Sequence, residues 1–328
     1  MYTDMSEASL TAYRSTQTEP ADFDAFWADT LAEAEGHPLE VTATLVTDAP
    51  GSPALSTLDV YDVTFAGFGG QTVSAWLRVP AGTTRPLPAI VQFHGYGRGR
   101  GQAFENLLWA SAGYAHFDMD VRGQGSGGST GVTPDDDGGT RSGPQVPGFM
   151  TRGIEAPSSY YYRRLYTDAV RAVAAARALD LVDETRVGVM GTSQGGGIAL
   201  AVAGLVPGLT AVVARVPFLC DFARASVITD ALPYREIAQY LAVHRLSVAQ
   251  VYETLSYFDG VNFAKRATAP AVFTAGLMDA ICPPSTVFGA FHSYAGPKDV
   301  TVWQYNGHEG GAWEDDALAL RTFGEHLR

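Results

Sequence analysis

The sequence predicts an α/β fold, a mainly parallel sheet flanked by helices. From Pro88 onward, short continuous apolar segments alternate with helical patterns, which is typical of parallel strands joined by helices. These strands are expected at residues 89–93, 114–119, 187–190, 211–216, 271–275 and 300–305. Earlier β-rich stretches at 41–46, 58–65 and 72–79 are separated by Gly, Pro and Ser residues. They therefore indicate antiparallel strands that lead into the sheet.

Composition limits the class of protein. The 328 residues are 46% hydrophobic and 17% charged with a mean hydropathy of zero, as in soluble globular proteins. The net charge of −13 argues against nucleic acid or an anionic membrane as a partner. Residues 1–19 lack the apolar core of a signal peptide, and no apolar run is long enough to cross a bilayer. A cytoplasmic location is the expectation.

Two helices can be placed from their apolar spacing. One is expected over residues 21–34, with Asp22 as a candidate N-cap and an aromatic stripe packed on the body of the protein. The second, over 162–179, feeds the strand at 187–190 and presents Arg171 and Arg177 to solvent.

Two segments interrupt the alternation of strands and helices. Residues 126–159 are rich in Gly, Pro, Ser and Asp and predict a functional surface loop. Residues 221–265 predict several short helices that form a cap over the carboxyl edge of the sheet. Because no linker divides the chain into independent domains, we expect one domain over 1–328, with 1–40 as an N-terminal helical extension and 221–265 as a cap insertion.

The most informative stretch runs through residues 187–200. A β-branched run ends at Met190, Gly191-Thr192-Ser193-Gln194-Gly195 follows, and a helical pattern resumes. This matches G-x-S-x-G in a strand-turn-helix context, which exposes the serine of an α/β-hydrolase at a helix N-terminus. The alternative is a glycine-rich turn in which Ser193 only caps the helix.

A serine nucleophile needs a base, and the base needs a carboxylate; in α/β-hydrolases they follow in the order Ser, Asp or Glu, His. Asp279 lies just beyond the strand at 271–275, although it could instead cap the helix that begins near Pro283. His308 follows the last strand in a glycine-rich loop. Because His-Glu-Gly-Gly-Ala is not H-E-x-x-H, and two cysteines suggest no Cys-based metal site, we expect no metal site.

The oxyanion of the tetrahedral intermediate needs two N–H donors. One is expected from Gln194, directly after the nucleophile, and the other from Tyr96 in the loop after the strand at 89–93. His94 in that loop is expected to shape it rather than act as a second base. His116 is expected in the core, and His37, His244, His292 and His326 at the surface.

These residues resemble those of carbohydrate esterase family 7, the acetyl xylan esterases and cephalosporin C deacetylases. Three elements carry the resemblance: Arg122-Gly123-Gln124, the motif at 191–196, and His308-Glu309. It extends over residues 22–27, 160–188 and 279–286, nearly the whole chain.

The resemblance implies a cytoplasmic, cofactor-free esterase for small esters. It makes Ser193, Asp279 and His308 the catalytic triad, Tyr96 and Gln194 the oxyanion donors, and Arg122 and Gln124 supports of the surrounding loops. It also implies a homo-hexamer built as a trimer of dimers.

The expected reaction is removal of acetyl or other short acyl groups, as from acetylated xylo-oligosaccharides or cephalosporin C. A short-chain carboxylesterase or lactonase with another alcohol preference is the alternative within the class. A peptidase is disfavoured because no separate substrate-binding domain is visible. Outside the class, the rival is a non-catalytic binding protein on a hydrolase fold. The sequence leaves open whether Cys220 and Cys282 are free thiols.

Overall fold

The computed structural model describes residues 2–47, 55–136 and 141–328. Within them, nine strands form one sheet in the order β1-β2-β3-β5-β4-β8-β9-β10-β11. The strands are β1 (Thr42–Leu45), β2 (Leu58–Ala66), β3 (Thr72–Pro80), β4 (Leu87–Phe93), β5 (Ala115–Met119), β8 (Val182–Thr192), β9 (Ala211–Arg215), β10 (Ala271–Gly276) and β11 (Lys298–Trp303). A separate two-residue pair, β6 (Asp135–Asp136) and β7 (Arg141–Ser142), lies in the long loop.

Strand directions follow the prediction. β1, β2 and β3 pair antiparallel and join β5 antiparallel. The remaining six strands are parallel, with β4 between β5 and β8. The carboxyl ends of β4, β8, β9, β10 and β11 therefore meet along one edge, where open α/β sheets bind ligands.

Helices cover both faces of the sheet. They are α1 (Glu7–Ala12), α2 (Phe23–Glu35), α3 (Leu108–Ser111), α4 (Tyr161–Arg177), α5 (Gln194–Leu205), α6 (Phe222–Ile228), α7 (Tyr234–Val243), α8 (Val248–Ser256), α9 (Gly260–Ala264), α10 (Pro284–Ser293) and α11 (Trp313–His326). Successive residues of a strand enter different apolar clusters: Val91 packs with α4 and α5, whereas Ile90 packs with Phe323 of α11. This alternation is what a sheet buried on both faces requires.

The first long helix packs as its aromatic spacing predicts. Phe23 and Trp27 are buried, and the Trp27 indole Nε1 donates to the carbonyl of Tyr257 at 2.9 Å. Asp22 does precede α2, but its carboxylate accepts from the Tyr257 hydroxyl at 2.6 Å and makes no capping hydrogen bond. The side chain thus joins two distant segments.

One prediction for α4 is wrong. Arg171 is not exposed: it is buried, and its guanidinium donates to the backbone carbonyls of Ala34, His37 and Ala66. These carbonyls lie at the end of α2, just after it and at the end of β2, so the arginine ties the end of α2 and the end of β2 to α4. Arg177 is half-buried.

The expected short helices of residues 221–265 are α6 to α9, between β9 and β10. Three residues there, Leu232, Pro233 and Glu236, line a pocket at the carboxyl edge of the sheet. The segment 126–159 contributes Gly127, Ser129 and Pro147 to the same pocket. Both interruptions of the sequence pattern therefore border one cavity.

Candidate active site

Ser193 stands on a strained turn between β8 and α5. Its φ of 59° and ψ of −122° are unfavourable for a residue with a side chain. Backbone hydrogen bonds hold this conformation: its N–H donates to Arg215 and its carbonyl accepts from Phe218, both at 2.9 Å. A helix cap needs no such strain, and the Ser193 side chain makes no capping hydrogen bond. The geometry is that of a nucleophile turn.

Two glycines make this turn possible. A Cβ on Gly191 would lie 2.2 Å from the carbonyl carbon of Gly195. A Cβ on Gly195 would lie 2.1 Å from the carbonyl oxygen of Phe93, at the end of β4. The motif's glycines are therefore required because backbone passes against backbone.

Asp279 divides its carboxylate between two tasks. Its Oδ1 accepts from the backbone N–H groups of Ile281 and Cys282 at 2.8 and 2.9 Å, ahead of α10. Its Oδ2 lies 2.8 Å from Nδ1 of His308. The turn-stabilising role and the triad role, which the sequence posed as alternatives, are both compatible with the contacts of this buried side chain.

His308 lies in a loop whose anchoring contacts could not be predicted from the sequence. Asp315, buried at the start of α11, accepts from the Gly311 N–H at 3.0 Å and from Nε1 of Trp303 at 2.8 Å. It also accepts from the Thr274 hydroxyl of β10 at 3.1 Å. The His308 loop is thereby fastened to two strands; nothing in the local sequence distinguishes Asp315 from its acidic neighbours.

Cys282 is a second residue that sequence reasoning missed. A ligating atom of Cys282 lies within 4.8 Å of those of Asp279 and His308. Burial raises the pKa of its thiol, and the nearby Ser193 hydroxyl lowers it to a lesser extent. Asp, Cys and His are metal-ligand types, but the Asp279 and His308 atoms that face each other already share a hydrogen bond. Cys220 and Cys282 are both free and buried.

The loop after β4 passes beside the nucleophile. A Cβ on Gly95 would lie 3.9 Å from the Cβ of Ser193. Tyr96, the next residue in the chain, therefore also lies near Ser193. The Tyr96 hydroxyl contacts both carboxylate oxygens of Glu236 at 2.9 Å and accepts from the Phe149 N–H at 2.7 Å. Burial is the main reason that the pKa values of Tyr96 and Glu236 are raised.

Gln194 and Gln124 form a buried amide pair beneath this loop. Gln124 Nε2 donates to Gln194 Oε1 at 2.9 Å, and Gln124 Oε1 accepts from the Gly97 N–H at 2.6 Å. The Tyr162 hydroxyl also donates to Gln194 Oε1 at 2.9 Å. The pair links the start of α5 to the Tyr96 loop.

Arg122 is fully buried, and the described hydrogen-bond partners of its guanidinium do not line the pocket. Its guanidinium forms a two-pronged ion pair with Asp168 of α4 at 2.5 and 2.7 Å, and reaches Asp135 at 3.3 Å. It therefore joins the loop after β5 to α4 and the long loop. The supporting role expected for Arg122 stays a prediction.

His94 is buried and paired with a carboxylate. Its Nε2 lies 2.6 Å from Asp118 Oδ1, and Asp118 is also paired with Arg78 at 2.8 Å. Burial lowers the pKa of His94, but Asp118 outweighs it, so the pKa lies above its usual value. His116 is fully buried, and burial lowers its pKa to about 3. Neither histidine contacts Asp279.

Ser193 and His308 line one pocket of about 690 Å³. A groove of about 300 Å³ adjoins it and shares Thr192, Arg215 and Asp316 with its wall. No helix in the described part of the chain is both long and apolar enough to cross a membrane.

Comparison with known proteins identifies the family. The family model for acetyl xylan esterase (AXE1) matches residues 1–321. The chain belongs to the acetyl xylan esterase family. Its members are carboxylic ester hydrolases, and their fold is the α/β-hydrolase fold seen here.

Solved structures support this assignment over nearly the full chain. An acetyl xylan esterase from Paenibacillus sp. R4 is 39% identical with a TM-score of 0.90, covering 98% of this chain and 100% of that one. Acetyl xylan esterase 1 from Thermoanaerobacterium sp. JW/SL YS485 is 33% identical with a TM-score of 0.86, covering 98% and 99%. A Pyrococcus horikoshii acylaminoacyl peptidase, 16% identical with a TM-score of 0.60 over 83% of this chain and 42% of that one, shares the fold.

A curated relative is longer than this chain. Acetyl esterase Axe7A from Xylanibacter ruminicola is 28% identical over 294 residues, which are 88% of this chain. The match spans 63% of that protein's length.

Proposed function

We propose that this chain is a serine esterase that removes acetyl or other short acyl groups from sugar hydroxyls. Acetylated xylo-oligosaccharides are the proposed substrates, with cephalosporin C as a further one. The observation that carries the proposal is the Asp279–His308 hydrogen bond of 2.8 Å, which shares a pocket with Ser193 on its strained turn. Family membership supports an ester as the substrate and acetyl as the acyl group removed.

In the proposed mechanism, His308 takes the proton of Ser193 as its Oγ attacks the acyl carbon. Asp279 holds the imidazole in the tautomer that leaves Nε2 free to accept that proton. The N–H groups of Tyr96 and Gln194 stabilise the oxyanion, and His308 then protonates the departing alcohol. Water activated by His308 releases the acid from the acyl-enzyme.

The architecture around this chemistry is also part of the proposal. One domain would span residues 1–328, with 1–40 as a helical extension and 221–265 as a cap that limits acyl length. The cytoplasmic location is part of the proposal, and the homo-hexamer, a trimer of dimers, is a proposal carried only by the family resemblance. Size-exclusion chromatography with light scattering tests the hexamer.

Hydrolysis of p-nitrophenyl esters of graded acyl length tests the reaction. We expect acetate turnover to fall with longer chains, and Ser193→Ala to reduce kcat at least about 10³-fold because no other nucleophile occupies the turn. Ser129→Ala is the matched control, since Ser129 lines the same pocket but donates to the Gly99 carbonyl.

The other outcomes separate the rival functions. Turnover that survives Ser193→Ala would exclude the serine mechanism. Preference for long acyl chains or lactones would keep the triad and replace the deacetylase assignment. Binding of acetylated sugars without any turnover by the wild type would favour a non-catalytic protein.

A further inference from the structure

An exposed tryptophan stands beside the candidate triad without an evident structural purpose. Trp313, the first residue of α11, has 84% of its side chain exposed. Exposure of this extent leaves the indole ring available to pack against a ligand. Trp313 lines the 300 Å³ groove that opens beside the catalytic pocket.

The groove lies between the chain neighbours of two triad residues. Thr192, which precedes Ser193, and Glu309, which follows His308, both line it. In acyl transfer the histidine delivers its proton to the leaving oxygen, so the alcohol departs on the histidine side. The groove is therefore placed to receive the part of the alcohol beyond the ester oxygen.

The floor of the groove is polar and already ordered. Arg215 is more than nine-tenths buried, and its Nη1 donates to Asp316 Oδ1 at 2.7 Å while Nη2 donates to the Asp315 carbonyl at 2.9 Å. Its Nε has no hydrogen-bond partner among the described residues. That nitrogen has almost no accessible surface, so the polar character of the groove comes from the paired Arg215 and Asp316 side chains that line it.

An aromatic wall over a polar floor suits a sugar ring. The ring's apolar face packs against an aromatic side chain, and its hydroxyls exchange hydrogen bonds with carboxylate, guanidinium and hydroxyl groups. We propose that the groove lined by Trp313 is a sugar-binding subsite for the saccharide unit next to the acetylated one. This inference rests on the proposed function, because it specifies how the sugar part of the proposed ester substrate is bound.

Kinetics with two substrates test the subsite. Trp313→Ala should raise KM for an acetylated xylo-oligosaccharide about 5- to 10-fold, the loss expected for one aromatic contact, and leave p-nitrophenyl acetate unchanged. Trp313→Phe should restore most of the affinity. Tyr305→Ala is the matched control: Tyr305 is 79% exposed in the same loop region but is absent from the described lining of the groove.

Binding without turnover separates this inference from the proposed reaction. Xylotriose titrated into Ser193→Ala should bind and change tryptophan fluorescence. The Trp313→Ala, Ser193→Ala double variant should bind xylotriose about 5- to 10-fold more weakly and lose the fluorescence change. That result would support the subsite even if the wild type hydrolysed no ester. Equal oligosaccharide kinetics in wild type and Trp313→Ala, or equal xylotriose affinity in Ser193→Ala and the double variant, would overturn it.

Discussion

Asp279 combines a structural contact with the contact proposed for catalysis. One carboxylate oxygen closes the turn before α10, and the other faces Nδ1 of His308. An amide at this position can still accept from the turn through its oxygen. It then offers a donor, not an acceptor, to the imidazole, which favours the wrong tautomer.

We therefore expect Asp279→Asn to lower kcat by about 10³- to 10⁴-fold with little change in KM. Steady-state kinetics with p-nitrophenyl acetate provide the measurement. Glu309→Gln is the control, because Glu309 follows His308 directly but bonds Asn306 and the Gly307 N–H. A larger loss in the control than in Asp279→Asn would transfer the acid role to Glu309.

At the scale of elements, Tyr96 and Glu236 join three segments around the pocket. The Glu236 carboxylate, on α7, accepts from the Tyr96 hydroxyl in the loop after β4 and from the Met150 N–H at 3.1 Å. The Tyr96 hydroxyl accepts from the Gly148 N–H at 3.1 Å. The side chain of the proposed oxyanion residue is thus fixed from the 126–159 loop and from the 221–265 helices.

Glu236→Gln should reduce kcat about fivefold, since a neutral acceptor weakens a charge-assisted hydrogen bond by roughly 1 kcal/mol. KM for p-nitrophenyl acetate should change less than kcat if Glu236 positions the oxyanion donor. Glu155→Gln is a matched control: Glu155 accepts from the Tyr240 hydroxyl of the same helix at 3.1 Å, away from Tyr96. Equal losses in both variants would mean that only helix anchoring is disturbed.

The strands and most helices could be predicted because they depend on local patterns. Hydrophobic alternation and G-x-S-x-G located the sheet and Ser193, and chain order then selected Asp279 and His308. Asp315, Glu236 and Cys282 act through contacts that local patterns do not encode; Tyr96 and Glu236 are 140 residues apart. The Arg171 error has a related cause, because α4 is buried except along a narrow stripe of Arg163, Val170, Ala174 and Arg177, which does not include Arg171.

For the molecule as a whole, Asp135 gathers three arginines at one buried point. Arg164 bonds it at 2.8 and 2.9 Å, Arg152 at 2.9 Å and Arg122 at 3.3 Å. Burial alone would raise the pKa of Asp135, but the arginines lower it from 3.8 to about 2. The cluster joins the long loop, α4 and the segment after β5.

This lowered pKa gives stability a defined pH dependence. The folded-state pKa is below that of the unfolded chain, so the stabilisation is complete above pH 3.8 and is lost as pH falls towards 2. Its size is about 2 kcal/mol by linkage. Asp135→Asn should cost about 3 kcal/mol at pH 7, because Arg164 and the partly buried Arg152 lose their carboxylate partner while Arg122 keeps Asp168.

Urea unfolding at pH 7, 4 and 3 measures the effect. The difference in unfolding free energy between wild type and Asp135→Asn should shrink below pH 4. Asp136→Asn serves as the control, since Asp136 is bonded by Gln71 through its backbone carbonyl. A difference that stays constant down to pH 3 would contradict the assigned pKa.

The glycines of residues 191–197 also bear on how sequence variation should be interpreted. Besides the contacts of Gly191 and Gly195, a Cβ on Gly197 would lie 2.2 Å from the Phe218 carbonyl oxygen. These close backbone approaches alone would keep the glycines unchanged, even in a related protein that had lost Ser193 and its activity. Invariance of the glycines along this turn would therefore report on the fold, and only Ser193 itself would report on the proposed catalysis.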